Sequence, residues 1–370
     1  MTKARTNASA SPAVGRNMVI NGAMNVAQRS ASVTGLGATL SAYHTVDRFP
    51  IAVSTSGRLT MTQTADGPNG ISANCTKFDC TTADTSIAAG EYFLFRQLFE
   101  GQNLQRIGKG VAGAQQITIS FYVKANAAFT FGCELEDKDN NRNITILFDT
   151  TTDWVRKVIT IPADVDDGSS PFDDDNAESL RLNIWLHAGS TYTSGTLGTS
   201  WYNRVDANRA VGIDSFFSST DNNFFITGVQ MEVGPVATEF EQEDISTTLQ
   251  KCQRYFQKIA AASGAAYKRF GIGQLTSTTT GDFTFPLETT LRDLPSIGTT
   301  GTASNYAIYH NNTVTACSAV PIIDTGTDQG TQGNMFSYTG IVGSGLTVAH
   351  AASFLSNNNT SAFLSLDAEL

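Results

Sequence analysis

The sequence predicts an all-β protein: a large β-sandwich or barrel domain, then one short helix, then a smaller C-terminal β domain. Three observations lead there. Short runs of alternating apolar and polar residues recur from Asn17 to about Gln242, and such alternation marks strands with one buried face. Gly, Asn and Asp separate these runs where turns are needed, as in sandwiches and barrels. Charged residues make up only 16% of the chain against 41% hydrophobic. The surface is therefore largely Ser, Thr, Asn, Gln and Gly, which suits a rigid β protein exposed to solvent and sugars.

Taken in order, residues Met1–Arg16 are small and polar, carry Lys3, Arg5 and Arg16, and contain no acid. They lack the apolar stretch of a secretory signal and are expected to form a flexible arm able to dock on an acidic neighbour. Residues 17–242 read as one β domain. Its clearest strands are Gln116–Lys124, Trp154–Pro162, Leu180–Leu186 and Asn223–Met231. Over 243–262 the period changes: Ile245, Leu249, Cys252, Phe256 and Ile259 recur every three or four residues. That spacing predicts a linking helix with one apolar stripe, capped at Asp244 and stopped by Ser263-Gly264. The stripe needs a cover, either a β domain of the same chain or copies of itself on an axis. Residues 263–370 are β-like again, with strands at Asp282–Phe285, Tyr306–Tyr309 and Ser361–Leu366.

Charge and cysteines narrow the function classes. The net charge of -10 and pI near 4.9 repel phosphate backbones, so no nucleic-acid partner is expected. No run of about 18 apolar residues occurs, so no membrane insertion is expected either. Cys75, Cys80, Cys133, Cys252 and Cys317 are odd in number and scattered, which argues against a disulfide framework and for folding in a reducing cytoplasm.

No catalytic motif is present, and His44, His187, His310 and His350 are far apart. Glu134 and Glu136 share one face of a predicted strand, where a solvated sheet face explains them better than a glycosidase pair. Residues Glu136–Arg142 begin like a calcium loop, but Arg142 stands where that loop needs Gly and Phe148 where it needs Glu, so a hairpin turn is expected. Asp164, Asp166, Asp167, Asp173, Asp174 and Asp175 crowd one segment. They are candidate Ca²⁺ ligands, with a solvated acidic loop as the plainer reading. No other cofactor is implied. Candidate glycan-binding side chains in the last domain are Tyr306, Tyr309, His310 and Tyr338, although Tyr306 and Tyr309 cannot share one strand face. Trp154, Trp185 and Trp201 are expected in the core or at its rim.

An ordered set of segments resembles a tail-fibre family of tailed bacteriophages. It comprises Arg16-Asn-Met-Val-Ile-Asn-Gly-Ala-Met-Asn-Val-Ala-Gln-Arg29, Thr45–Phe49, Phe95–Glu100, Ile119–Ala125, Trp154–Pro162, Phe225–Gly234 followed by Ala237–Phe240, and Cys252–Phe256. The resemblance covers about residues 17–258; Phe283–Pro295 and Asp367–Leu370 are similar to the start of the family's tip domain and to its usual ending. It implies a jelly roll similar to carbohydrate-binding modules and a non-enzymatic virion appendage, assembled in the host cytoplasm. It further implies a homotrimer that attaches to other virion proteins through the N-terminal arm and to host surface polysaccharide through the C-terminal domain. A head decoration or adaptor protein is the alternative. A capsule depolymerase ranks below both, since no β-helix repeat occurs.

Overall fold

The computed structural model describes residues 15–165, 171–261, 266–323, 331–332 and 335–370. The chain divides into two units, Met1–Thr248 together with Leu370, and Leu249–Glu369. Most of the predicted N-terminal arm lies outside the described residues. Among the described residues no helix is long and apolar enough to cross a membrane.

The strands of the first unit are β1 (Ser32–Ala42), β2 (Ile51–Thr64), β3 (Cys75–Thr82), β4 (Tyr92–Glu100), β5 (Ile117–Ala125), β6 (Thr130–Asp137), β7 (Arg142–Asp149), β8 (Val155–Ile161), β9 (Glu178–Ala188), β10 (Tyr202–Asn203) and β11 (Asn223–Val233). They pair in the order β10-β7-β6-β9-β4-β2-β3-β11-β5-β8, with β1 also on β2. The long strand β2 belongs to both layers. Its residues Ile51–Ser54 pair with β4, while Arg58–Thr64 pair with β3. At the corner stands Gly57, where a Cβ would lie 2.5 Å from the Phe217 ring; only a residue without a side chain lets the strand turn there.

Alternation sets the faces. Phe93 and Phe95 on β4, Phe131 on β6, Phe121 on β5, Phe78 on β3 and Phe224 on β11 all point between the layers. Phe78 packs edge-on against Phe93 and Phe95, each with centroids 5.3 Å apart, a geometry that aromatic quadrupoles favour. The β6–β7 connection is the expected hairpin, with Asp137 opposite Arg142. All five cysteines are buried, and burial pushes the Cys75 thiol up to about 12, so it stays protonated and inert.

In the second unit the strands are β12 (Phe256–Ala260), β13 (Arg269–Leu275), β14 (Thr280–Pro286), β15 (Ser296–Gly298), β16 (Tyr306–His310), β17 (Thr313–Ile323), β18 (Thr331–Gln332), β19 (Met335–Val342), β20 (Ala351–Ser356) and β21 (Phe363–Asp367). A seven-stranded sheet runs β14-β13-β20-β16-β17-β19-β18 and closes on itself where β14 pairs β19. A small sheet, β12-β21-β15, accompanies it. The core is aromatic: Phe270, Phe283, Phe285, Tyr306, Phe336, Tyr338 and Phe354.

The predicted helix is corrected. Only α2, Ile245–Gln253, is helical (α1 is the short turn Ser190–Thr193). Asp244 does cap it, accepting from the Ser246 amide at 2.8 Å. Beyond Gln253 the chain becomes strand β12, and Phe256 and Ile259 pair with Asp367 and Leu364 of β21. The apolar spacing suited a helix, but residues 255–259 also suit a strand, and a waiting sheet edge decides the matter. The stripe is therefore split: Ile245 is 54% exposed, whereas Cys252 and Phe256 are buried within the chain. It offers no continuous surface to copies of itself.

Truncating Phe78 to Ala should destabilise the first unit by about 3–5 kcal/mol, read as a lowered urea midpoint. A loss below about 1 kcal/mol would mean that the two layers do not meet at this ring.

Candidate functional site

The second face of the β7-β6-β9-β4 layer is polar and built. Strand parity places Tyr92, Leu94 and Arg96 of β4 there, with Glu134 and Glu136 of β6, Asn143 of β7, and Arg181, Asn183 and Trp185 of β9, because their neighbours fill the core. The segment after β9 folds back over this face. The Ala210 amide donates to the Tyr192 carbonyl at 2.9 Å, and β10 pairs with β7. A small apolar cluster of Ala52, Leu94, Trp185 and Ala210 pins it down.

Glu134 was expected on a solvated face; it is fully buried instead. Its oxygens accept from Asn143 at 2.9 Å, Asn183 at 2.9 Å, Trp185 Nε1 at 2.8 Å, and Arg209 Nε and Nη2 at 2.8 and 2.9 Å. Glu136 accepts from Arg204 at 2.9 Å, Arg209 at 3.0 Å and Asn183 at 3.1 Å. Burial alone would raise Glu136, but Arg209, Arg181, Lys138 and Asn183 outweigh it and hold the carboxyl at about 2. The Arg209 guanidinium also lies over the Trp185 ring, 5.1 Å from its centroid. Removing either partner of such a buried pair leaves a bare charge, at a cost of about 3–5 kcal/mol.

Above this ionic layer lies a cleft of about 180 Å³, lined by Tyr92, Leu94, Arg96, Glu136, Arg181, Trp185, Tyr192, Arg204 and Arg209. Arg181 is tied to Glu178 at 2.9 Å, and Arg204 to Glu136. Arg96 differs. It is only 9% exposed, yet its buried Nε has no hydrogen-bond partner among the described residues. Burial, then repulsion from Arg181, pushes it down to about 10, so it remains a cation at neutral pH. Tyr92 and Tyr192 stand edge to face at 5.9 Å beside it. Aromatic surface next to a buried guanidinium whose Nε lacks a hydrogen-bond partner can take an anionic, ring-shaped ligand.

The residues singled out from sequence fall differently. Tyr306 and Tyr338 are fully buried, with the Tyr306 hydroxyl donating to the Phe363 carbonyl at 2.6 Å, so neither presents a face to a glycan. Tyr309 and His310 border an open depression of about 550 Å³ with Ile272, Thr284 and Asn311, although His310 is itself 5% exposed. Of the acidic segment, Asp164 is paired with Arg142 at 2.9 Å and with Lys109 at 3.2 Å. Asp173, Asp174 and Asp175 are exposed, and Asp166 and Asp167 lie outside the described residues. Among the described residues these acids form no cluster that would hold a metal ion; the group whose ligand atoms could do so is Asp84, Glu91 and His187. The arginines of the cleft were missed because they come from three separated stretches. The alternation Arg181, Asn183, Trp185 was the available signal: a polar face too rich for plain solvent.

No protein-family model matches the sequence, and a search of curated proteins finds no match. Similar solved structures include the family 11 carbohydrate-binding module of the cellulosomal cellulase Lic26A-Cel5E of Clostridium thermocellum. It is 11% identical, covering 57% of this chain and 99% of that one, with a TM-score of 0.28. The CBM22-1 xylan-binding domain of Paenibacillus barcinonensis Xyn10C is 12% identical over 56% of this chain and 94% of that one, at 0.26. The enzymatically active domain of bacteriophage CBA120 tailspike protein 4 is 12% identical over 59% of this chain but only 21% of that one, at 0.29. Likeness at such identities concerns the fold alone.

The stabilisation contributed by Glu136 should stay level from neutral pH down to about 5, then fall between about pH 4.5 and 2. The carboxyl of Glu136 is held below its ordinary 4.5, so its contribution is present above that value and lost as it protonates in the fold. Urea midpoints of the parent and of Glu136→Gln check this; an equally steep acid loss in the variant would assign the effect to other groups.

Proposed function

We propose that this protein is a non-enzymatic virion appendage of a tailed bacteriophage, a trimeric tail fibre, and that it binds a host-surface glycan carrying an acidic sugar. The phage assignment rests on the ordered segments between residues 17 and 258. The binding assignment rests on one observation, Arg96 buried in a cleft with Tyr92 and Tyr192 and no hydrogen-bonded acceptor at its buried Nε. A uronic or similar carboxylate would satisfy that guanidinium in a bidentate pair, while the two tyrosines take the apolar face of the sugar ring. The cleft supports binding rather than hydrolysis. Glu136, which lines it, and Glu134 beneath are already engaged by arginine, and a carboxyl at about 2 is no general acid. Three copies on one particle would add avidity to a weak single site.

A second reading keeps the glycan at the depression beside Tyr309 and His310, where Ile272 is 68% exposed. Arg96→Leu and Tyr309→Ala separate the two. With an acidic oligosaccharide, Arg96→Leu should weaken binding at least tenfold by calorimetry and leave thermal stability unchanged or higher, since it removes a buried charge without a hydrogen-bonded partner. Binding lost in Tyr309→Ala and kept in Arg96→Leu would move the site to the second unit. Light scattering should give three times the chain mass; a single-chain mass at micromolar concentration would favour the decoration or adaptor role.

A further inference from the structure

A second cluster lies apart from the arginines, on the core side of the same strands. Asp84 follows β3, Glu91 immediately precedes β4, and His187 lies near the end of β9. One ligand atom from each lies within 4.8 Å of the other two. A register shift between β4 and β9 sets Phe93 opposite His187 but Leu94 opposite Trp185. Leu186 is the extra residue, and both Leu186 and His187 are fully buried. Such bulges re-aim a side chain, and here the bulge turns the imidazole away from the cleft and toward the two carboxylates.

The histidine is held as a ligand would be. Its Nδ1 lies 2.8 Å from the Ser215 hydroxyl, and its ring stands edge-on to Phe217 at 5.3 Å. The other nitrogen, Nε2, has no hydrogen-bond partner; the nearest carboxylate oxygen, on Glu91, is 3.7 Å away, beyond a hydrogen bond. The carboxylates are oriented too. Asp84 Oδ2 accepts from Thr55 Oγ1 at 2.7 Å and the Ser56 amide at 3.1 Å, and Glu91 Oε2 accepts from the Ala88 amide at 2.9 Å. Neither acid has a lysine or arginine partner among the described residues. Two carboxylates and one imidazole nitrogen without a hydrogen-bond partner, all buried, meet here with no lysine or arginine beside them among the described residues.

We propose that Asp84, Glu91 and His187 bind a divalent transition-metal ion of the zinc type. One nitrogen and two oxygen ligands suit Zn²⁺ or Co²⁺, whereas Ca²⁺ takes oxygen alone. Ser215 orients the imidazole as a second-layer partner does. The ion ties the loop before β4 to the end of β9. Glu91 adjoins Tyr92, and its carbonyl accepts from the Gly189 amide at 2.8 Å, so the tie holds the rim from which the covering segment of the cleft departs.

The test uses the full chain, stripped with a chelator and dialysed against Zn²⁺, Co²⁺ or Ca²⁺ separately. One Zn²⁺ per chain should be retained, with a melting temperature raised by roughly 5 °C at a hundredfold excess over the dissociation constant. Ca²⁺ at the same concentration should leave melting unchanged. His187→Gln should lose both the retained ion and the shift. Should that variant fail to fold, Glu91→Gln takes its place, and visible absorption of the Co²⁺ form of the unaltered chain reads the ligand set directly. No retained Zn²⁺, equal retention in the variant, or a Co²⁺ spectrum of water ligands alone would overturn the assignment.

Discussion

The burial of Glu134 and Glu136 beneath Arg209 is the constraint on which the first unit's functional face depends. A sheet with both faces covered needs a filling for each. One face here is filled by phenylalanines, the other by an ionic layer. That layer costs desolvation, and its stability comes from saturation: the Glu134 oxygens take five donors, two of them from Arg209. The arginine fastens the segment after β9 to the sheet. The segment in turn sets Tyr192 and Arg204 around Arg96. A buried ion cluster thus does what apolar packing would not, leaving a charged residue in a defined place with no hydrogen bond at its buried nitrogen.

Much of the fold was legible in the sequence, and for a plain physical reason. Period two is hard to counterfeit in runs such as Gln116–Lys124 or Leu180–Leu186, because every second residue there fills the core. The helix over 243–262 was misjudged at its second half. Phe256 and Ile259 satisfy a spacing of three as easily as they satisfy a strand, and only the partner strand Phe363–Asp367, a hundred residues on, tells which. Short apolar stretches carry no information about distant pairing.

The site was less legible. Tyr306 and Tyr338 are candidate glycan-binding aromatics in the sequence, but a large ring also suits a closed sheet that must be filled, and both lie in its core. The Tyr338 hydroxyl reaches so close to Gly271 that a Cβ there would stand 2.6 Å from it. Conversely, Arg96 sits inside the apolar run Tyr92–Glu100, where a charged residue breaks the expected pattern. Such a break is the kind of local inconsistency that binding sites retain. Glu91 and Tyr92 are adjacent, as are the stretches holding Trp185 and His187. The same end of β4 and β9 therefore contributes Tyr92 and Trp185 to the cleft on one face, and on the other His187 stands beside Glu91, the residue just before β4.

The most direct measurement is a crystal structure of the protein soaked with a short oligosaccharide that contains a uronic acid. The account predicts a carboxylate within about 3 Å of the Arg96 guanidinium, with the sugar ring against Tyr92 or Tyr192. A ligand ordered elsewhere, or a cleft that stays closed over Arg96 at saturating sugar, would contradict it.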